Sequence, residues 1–404
     1  MTDALGAIGA FELGRLPRIT FGAGRIEAVP RIVAGHGRHV LVVTGGRSFR
    51  AGPHWGPLVD GLARDGVGIE EVIVEGEPSP DLVDEVVATH RGRGIDVVLG
   101  IGGGSVLDAA KAIAGLLDAR TTALDHLEGV GRGVPYEGPP VPLVAVPTTA
   151  GTGSEATRNA VLSRRGPGGF KKSFRDEWLV ARDAVVDPDL LVGLPPRQIA
   201  DNGMDALAQL LESLTSTRTS PITDALALAG LRSVRAGLVP WFDAVTAGSD
   251  DAAARSNMAF AALASGMTLA QTGLGSVHGL ASPLGALFPI GHGAACGATL
   301  VAATRVNIEA LAERDPDGRG LRRYADAGRA LGGRADLDDG AARAGLIDVL
   351  EGMAARLDIG GLGRFGVGES DVATLVGEAH GTSMRTNPIT LTDAEVERII
   401  RESL

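Results

Sequence analysis

The stretch IDVVLGIGGGSVLDAAKAIAGLLD (95–118) decides the fold class, because it contains a strand, a glycine turn and a helix in succession. A β-branched apolar run ending in glycines predicts a buried strand and a tight turn over 95–105. Apolar residues at helical spacing predict a helix over 105–118, with Ser105 placed as its N-cap. Glycines in such a turn let a backbone approach a diphosphate at the helix N-terminus.

Two loops are therefore candidate coenzyme-binding segments. The second, PTTAGTGSE (147–155), follows another predicted strand and offers hydroxyl groups that could hold a ribose or a nicotinamide amide. The alternatives are an ordinary strand–helix turn, since the first loop lacks the G-x-G-x-x-G order, and an ordinary polar turn for the second. The candidate coenzyme-binding residues in these loops are Gly102, Gly103, Gly104, Ser105, Asp108, Thr148, Thr149, Thr152 and Ser154.

The surrounding sequence predicts an α/β domain over residues 1–193. Buried strands are expected at 39–45 and 68–78, with an amphipathic helix at 81–94. This alternation favours a parallel sheet with flanking helices. The segment ITFGAGRI (19–26) is expected to form a separate edge hairpin.

The character of the chain changes afterwards, and an all-helical domain is predicted over residues 194–404. Pro195 and Pro196 are expected to open its first helix. The charged segment 313–323 is expected to be a solvated loop. Helices are predicted at 201–214, 221–247, 251–271, 295–315, 341–357 and 390–403.

Composition excludes several classes of protein. The chain has 404 residues, a net charge of -11 and a pI near 5.3, which argue against a general nucleic-acid binder. The single cysteine, Cys296, rules out an intrachain disulfide framework and a Cys-rich zinc module. No signal-peptide pattern and no run of about 18 apolar residues is present, so a cytoplasmic protein without a membrane partner is expected.

A candidate metal site is spread over the second half of the chain. Asp205 and Gln209 are four residues apart on a predicted helix, so they share one face. His278 and His292 follow in an apolar, glycine-rich stretch. The alternative is that these are buried core residues with satisfied hydrogen bonds.

With these segments in order, the chain resembles the iron-containing (group III) alcohol dehydrogenases over nearly its whole length. The matching segments are GGGSVLDAAK, VPTTAGTGSEATRNAV, VVDPDLLVGLPP, GMDALAQLLES, HGLASPLGALFPIGHG and SMRTNPITLT. The resemblance implies a dinucleotide-binding α/β domain, a helical domain and hydride transfer between alcohol and carbonyl in the cleft between them. It also implies one divalent metal ion, Fe or Zn, held by an Asp and three His.

The sequence departs from the family pattern at two positions. Asp205, His278 and His292 match metal ligands, whereas Gln209 stands where the first histidine belongs and Ser282 replaces another active-site histidine. An amide oxygen is a weaker donor than imidazole, so weak or absent metal occupancy is expected. His278 and His292 would then polarise the carbonyl themselves, as in a maleylacetate-reductase-like, metal-independent enzyme.

The resemblance also bears on coenzyme and substrate. Gly45 stands where NAD-preferring relatives tend to carry an acid, and Arg47 and Ser48 follow it, which favours NADP(H) over NAD(H). Lys171 is implied to lie beside the nicotinamide ribose and to act in catalysis. The basic cluster around it (159–178), which includes Arg165, is compatible with an anionic carbonyl substrate.

Two other functions and an assembly state remain as hypotheses. A dehydroquinate-synthase-like cyclase or lyase would use NAD transiently, and a non-catalytic nucleotide-binding protein would explain the losses at Gln209 and Ser282. The apolar helices favour a homodimer.

Overall fold

The computed structural model describes residues 8–164 and 169–404, which pack as two compact units. The α/β unit comprises residues 15–195 and 248–266. The helical unit comprises residues 8–14, 196–247 and 267–404. Among the helices described, none is both long enough and apolar enough to cross a membrane.

The α/β unit contains a six-stranded sheet in which every pairing is parallel, in the order β1-β8-β5-β4-β2-β3. Its strands are β1 (Arg18–Phe21), β2 (His39–Gly45), β3 (Gly68–Val74), β4 (Val97–Gly102), β5 (Leu143–Pro147) and β8 (Asp183–Val186). A separate antiparallel pair is formed by β6 (Asn159–Arg164) and β7 (Phe170–Arg175). The helices between the strands are α1 (Val29–Ala34), α2 (Trp55–Arg64), α3 (Pro80–His90) and α4 (Gly104–Leu116).

Helices cover both faces of the sheet because its strands are apolar on both sides. In β2, Val42 packs in one cluster with Leu58 of α2, whereas its neighbour Leu41 packs in another with Ile113 of α4. Successive side chains of a strand point to opposite faces, so a continuous apolar run requires two cores. The predicted α/β architecture is confirmed.

The strand order reverses direction at β2. The chain passes from β2 to β3 on one side and then returns to β4 on the other side of β2. In open parallel sheets, ligands bind beyond the carboxyl ends of the strands at such a switch point. Gly45 ends β2 and Gly102 ends β4, so the predicted coenzyme loops start at this edge.

The helical unit is built from long helices, in agreement with the predicted fold class. Pro196 is the first residue of its first helix, as expected. Its helices are α5 (Pro196–Thr215), α6 (Pro221–Thr246), the last part of α7 (Ala252–Thr272), α8 (Ser276–Leu287), α9 (His292–Arg314), α10 (Arg319–Gly332), α11 (Asp339–Arg356), α12 (Val372–Glu378) and α13 (Asp393–Glu402).

Three local predictions are wrong. Residues 19–26 do not form a hairpin, because Gly22 and Gly24 adopt positive φ and turn the chain into a short 3-10 helix after β1. The charged segment 313–323 is not all loop, since α10 begins at Arg319. Ser105 is not the N-cap of α4: the helix starts one residue earlier with Gly103 at that position.

Candidate active site

The two glycine- and threonine-containing loops contact each other at the carboxyl edge of the sheet. A Cβ atom on Gly104 would lie 2.8 Å from Cγ2 of Thr152, and one on Gly103 would lie 3.2 Å from Cγ2 of Thr149. Gly104 therefore has to be glycine for the loops to approach this closely. Among the described residues no side chain caps the start of α4, which leaves its first N–H groups for an anion.

Several of the predicted coenzyme-binding residues form hydrogen bonds that hold the loops together. The hydroxyl of Ser154 donates a hydrogen bond of 2.6 Å to Oδ1 of Asp108, and the other carboxylate oxygen of Asp108 accepts from the backbone N–H of Val161. The N–H of Thr148 donates to the carbonyl of Gly102. Ser154 is buried, so it supports the loop rather than offering a surface hydroxyl.

A buried acid lies under the second loop. Glu155 borders a cavity of about 10 Å³, together with Thr149 and Asp187, which is the size of one water molecule. Burial raises the pKa of Glu155 to about 7. Lys111 is also buried and donates hydrogen bonds to Thr157 and to the carbonyl of Asn159.

The end of β2 carries charges of both signs. Arg47 and Ser48 are exposed beside Gly45. A Cβ atom on Gly46 would lie 3.2 Å from Oε1 of the exposed Glu75, which follows β3. Sequence reasoning missed Glu75, because it reaches this point from the neighbouring strand.

The basic cluster on β6 and β7 is largely paired with acids. Lys171 donates to Glu77 at 2.5 Å, and Arg175 lies 3.5 Å from Glu128. Arg158 forms an ion pair with Glu177. Arg165 lies outside the described residues. Most of the positive charge of the described side chains in this cluster is therefore compensated by neighbouring acids, which the sequence alone does not indicate.

The helical unit brings together the predicted metal-binding residues through close packing of α9 on α5. A Cβ atom on Gly293 would lie 2.2 Å from the carbonyl oxygen of Asp201, and one on Gly297 would lie 3.2 Å from Cβ of Met204. Glycines four residues apart on α9 thus let the two helix backbones approach. His292 is placed beside Asp205 as a result.

Four donor side chains meet at this point: Asp205, His278, His292 and Cys296. Their ligand atoms all lie within 4.8 Å of one another. Oδ1 of Asp205 is 3.2 Å from Nε2 of His278 and 3.7 Å from Nε2 of His292. Three of the four residues are buried, and the His292 side chain is 32% exposed, so the cluster is accessible from the His292 side.

Gln209 lies next to the cluster and hydrogen-bonds to one of its members. Its Nε2 donates to Oδ1 of Asp205 at 3.1 Å. The amide of Gln209 therefore directs an N–H group, which cannot bind a cation, to Oδ1 of Asp205. The fourth potential donor atom of the cluster is Sγ of Cys296, which lies 3.7 Å from Nε2 of His278 and 3.9 Å from Nε2 of His292.

A second carboxylate orients His278. Glu212, two turns after Asp205 on α5, accepts from Nδ1 of His278 through Oε2 and from the N–H of Val277 through Oε1, both at 2.6 Å. A Cβ atom on Gly275 would lie 2.9 Å from Glu212, so the glycine is needed for this approach. Fixing Nδ1 leaves Nε2 directed at Asp205.

The charges of the cluster are mutually dependent. Burial alone would raise the pKa of Asp205, but His292 and His278 lower it below its usual value. Burial disfavours a charged His278, yet Cys296 and Asp205 raise the pKa of that imidazole well above its usual value. Burial raises the pKa of the Cys296 thiol to about 11.

Sequence reasoning missed two residues of this site. Cys296 follows His292 by four residues on one helix, a spacing that marks a shared face and could have revealed it. Glu212 stands seven residues after Asp205, also on a shared helical face.

Ser282 is exposed, and the buried Asn387 anchors the start of α8 by accepting from the N–H of Ser276.

Comparisons with known proteins show the family of this chain. Residues 17–188 match the model of the family described as iron-containing alcohol dehydrogenase, and residues 199–404 match its C-terminal domain. Long-chain-alcohol dehydrogenase 1 of Geobacillus thermodenitrificans is 33% identical over 384 residues, which cover 92% of this chain and 91% of that protein.

Two solved structures share the fold over nearly the whole chain. An archaeal alcohol dehydrogenase from a Red Sea brine pool superposes with a TM-score of 0.87 at 28% identity, covering 98% of this chain and 100% of the other. Sulfoacetaldehyde reductase of Bifidobacterium kashiwanohense, solved with NAD+, gives 0.83 at 26% identity and covers 97% and 98%. The protein is thus an oxidoreductase of the alcohol–aldehyde type. It belongs to the iron-containing alcohol dehydrogenase family.

Proposed function

We propose that the protein interconverts an alcohol and an aldehyde or ketone by hydride transfer, with NADP(H) favoured over NAD(H). The main support for this proposal is that Asp205, His278 and His292 lie together in one accessible cluster. The same chain has glycine-rich loops at the carboxyl edge of its sheet, where a coenzyme could bind. A cyclase or lyase like dehydroquinate synthase would use the coenzyme without net turnover, and a non-catalytic nucleotide-binding protein would not turn it over.

The coenzyme preference rests on the end of β2. Gly45 has no side chain to repel a 2′-phosphate, and the exposed Arg47 can meet it. Arg50 is less available, since it pairs with Glu71 at 2.5 Å and lies over the ring of Trp55. The carboxylate of Glu75 would repel a 2′-phosphate, so we expect the preference for NADP(H) over NAD(H) to be modest.

The residues of the helical unit suit reaction at an alcohol or carbonyl oxygen. A divalent cation held there would polarise this oxygen as a Lewis acid. Glu212 holds His278 in one orientation, while His292 lies on the accessible side of the cluster, where it would help to hold the cation beside the reacting oxygen. Lys171 is proposed to contact the nicotinamide ribose, with Glu77 holding its ammonium group.

We propose a substrate without a negative charge. The basic side chains that indicated an anionic carbonyl compound are paired: Lys171 with Glu77 and Arg175 with Glu128. The proposed assembly is a homodimer, which light scattering of the purified protein would test.

The test follows NADPH and NADH oxidation spectroscopically with neutral and carboxylated aldehydes, and quantifies the alcohol product. One mole of alcohol per mole of NADPH is expected, with higher kcat/KM for the neutral aldehydes. Conversion of the aldehyde to a product of the same oxidation level, without net NADPH oxidation, would instead support the cyclase or lyase hypothesis. His292→Ala should lower kcat at least 100-fold. Lys171→Ala should raise the KM for NADPH, whereas the exposed neighbour Lys172→Ala serves as the matched control.

A further inference from the structure

Four of the six distances among the four donor atoms are close to those of a tetrahedral metal site. Bonds of about 2.0–2.3 Å to N, O and S ligands place tetrahedral donors about 3.3–3.8 Å apart. Four of the six separations run from 3.2 Å, between Oδ1 of Asp205 and Nε2 of His278, to 3.9 Å, between Sγ of Cys296 and Nε2 of His292, and all six lie within 4.8 Å.

The fourth donor is sulfur rather than nitrogen or amide oxygen. Cys296 is fully buried, and its Sγ lies near both imidazoles. Gln209 instead directs its amide N–H to Asp205. The chain therefore lacks an imidazole at the Gln209 position but has a thiol one helical turn after His292.

We propose that Cys296 replaces the missing histidine as a metal ligand, so that Asp205, His278, His292 and the Cys296 thiolate form a site selective for zinc. On binding, the metal–sulfur bond replaces the S–H bond and the proton passes to solvent. Two anionic ligands balance the charge of a divalent ion, and thiolate with imidazole favours zinc over hard cations such as Mg²⁺ and Mn²⁺. Zinc should be retained through purification, unlike in a site completed by Gln209.

This proposal is independent of the coenzyme and the substrate, because it is tested by metal binding alone. Metal-stripped full-length protein is titrated with Zn²⁺ and with Co²⁺, and bound metal is measured by elemental analysis. Co²⁺ should produce a near-ultraviolet thiolate-to-cobalt charge-transfer band at one equivalent. Because Cys296 is the only cysteine of the chain, such a band can come from no other residue.

Variants then identify the fourth ligand. Cys296→Ser should abolish the band and weaken zinc binding at least tenfold, whereas Gln209→Ala should leave both nearly unchanged. Thr299→Ala is the matched control, since Thr299 is buried on the same helix and its hydroxyl donates to backbone carbonyls of that helix. Adding Gln209→His to Cys296→Ser should restore zinc binding without the band.

Three outcomes would overturn the proposal. They are a cobalt-loaded wild-type protein without the band, a loss of metal in Gln209→Ala with retention in Cys296→Ser, and no metal binding by the stripped wild-type protein. The first and third need no variant, so misfolding of a variant cannot obscure them. If the cobalt-loaded protein shows the band but the enzyme does not reduce aldehydes, the proposed function is wrong and the proposed metal site is unaffected.

Discussion

Glu212 holds His278 by its Nδ1 atom at 2.6 Å, while its other carboxylate oxygen accepts from the N–H of Val277 at 2.6 Å. One acid thus fixes both the start of α8 and the orientation of the imidazole that α8 carries. Carboxylates behind a metal-binding histidine raise its basicity and fix its tautomer. Glu212 is therefore a positioning residue.

Glu212→Ala should weaken zinc binding about 10–100-fold, because His278 loses its orientation. Glu212→Gln keeps one acceptor oxygen for Nδ1 and should lose less. Competition with a zinc-binding dye measures the affinity, and thermal unfolding of the metal-free variants shows whether the fold persists. Equal zinc affinity in folded Glu212→Ala and wild-type protein would exclude the positioning role.

The coenzyme preference should respond to charge at the end of β2. Gly45→Asp should reverse the preference toward NADH, because the new carboxylate repels a 2′-phosphate and can accept from a ribose hydroxyl. Glu75→Gln should act in the opposite direction and increase NADPH affinity about tenfold at most, or about 1.4 kcal/mol. Fluorescence titration gives both dissociation constants. Tighter NADH than NADPH binding by the wild-type protein would contradict the proposal.

The glycine-rich loop should not tolerate side chains. Gly103→Val and Gly104→Val should abolish dinucleotide binding, since the added atoms would displace Thr149 and Thr152 and obstruct the start of α4. Gly56→Val is the control, because a Cβ there meets no atom within 4 Å. Unchanged NADPH affinity in Gly103→Val would remove this loop from the coenzyme site. Zinc binding should persist in all three variants.

Glu155 should make stability depend on pH. The unfolded chain ionises near the ordinary value of 4.5, whereas burial raises the pKa of the folded group to about 7. Between these values only the unfolded state releases the proton, so stability falls as pH rises and levels off above about 7. The loss is about 3 kcal/mol at most.

Urea unfolding of Glu155→Gln and wild-type protein at pH 5 and pH 8 tests this prediction. The wild-type free energy of unfolding should fall relative to that of the variant over this interval. A constant difference between the two proteins at both pH values would show that Glu155 is ionised in the folded state throughout.

Much of the fold could be predicted from the sequence because its signals are local. The strand over 39–45, the strand and glycine turn that lead into α4, and the opening of α5 at Pro196 each depend on neighbouring residues. At Ser105 the prediction was wrong only in which of a few adjacent residues begins the helix. The helix α10, which begins at Arg319, was not predicted.

The candidate site was only partly predictable. From the sequence by itself we predicted three of the four donors, Asp205, His278 and His292, and the Asp205–Gln209 spacing on one helix face. Only the tertiary structure decided that the Gln209 amide turns to Asp205 while Cys296 faces both imidazoles, and that Lys171 and Arg175 are paired with acids. The physical reason is that these contacts join segments far apart along the chain. Their geometry follows from helix and strand packing, which permits the close approach at Gly293 and Gly297 and which no local sequence pattern specifies.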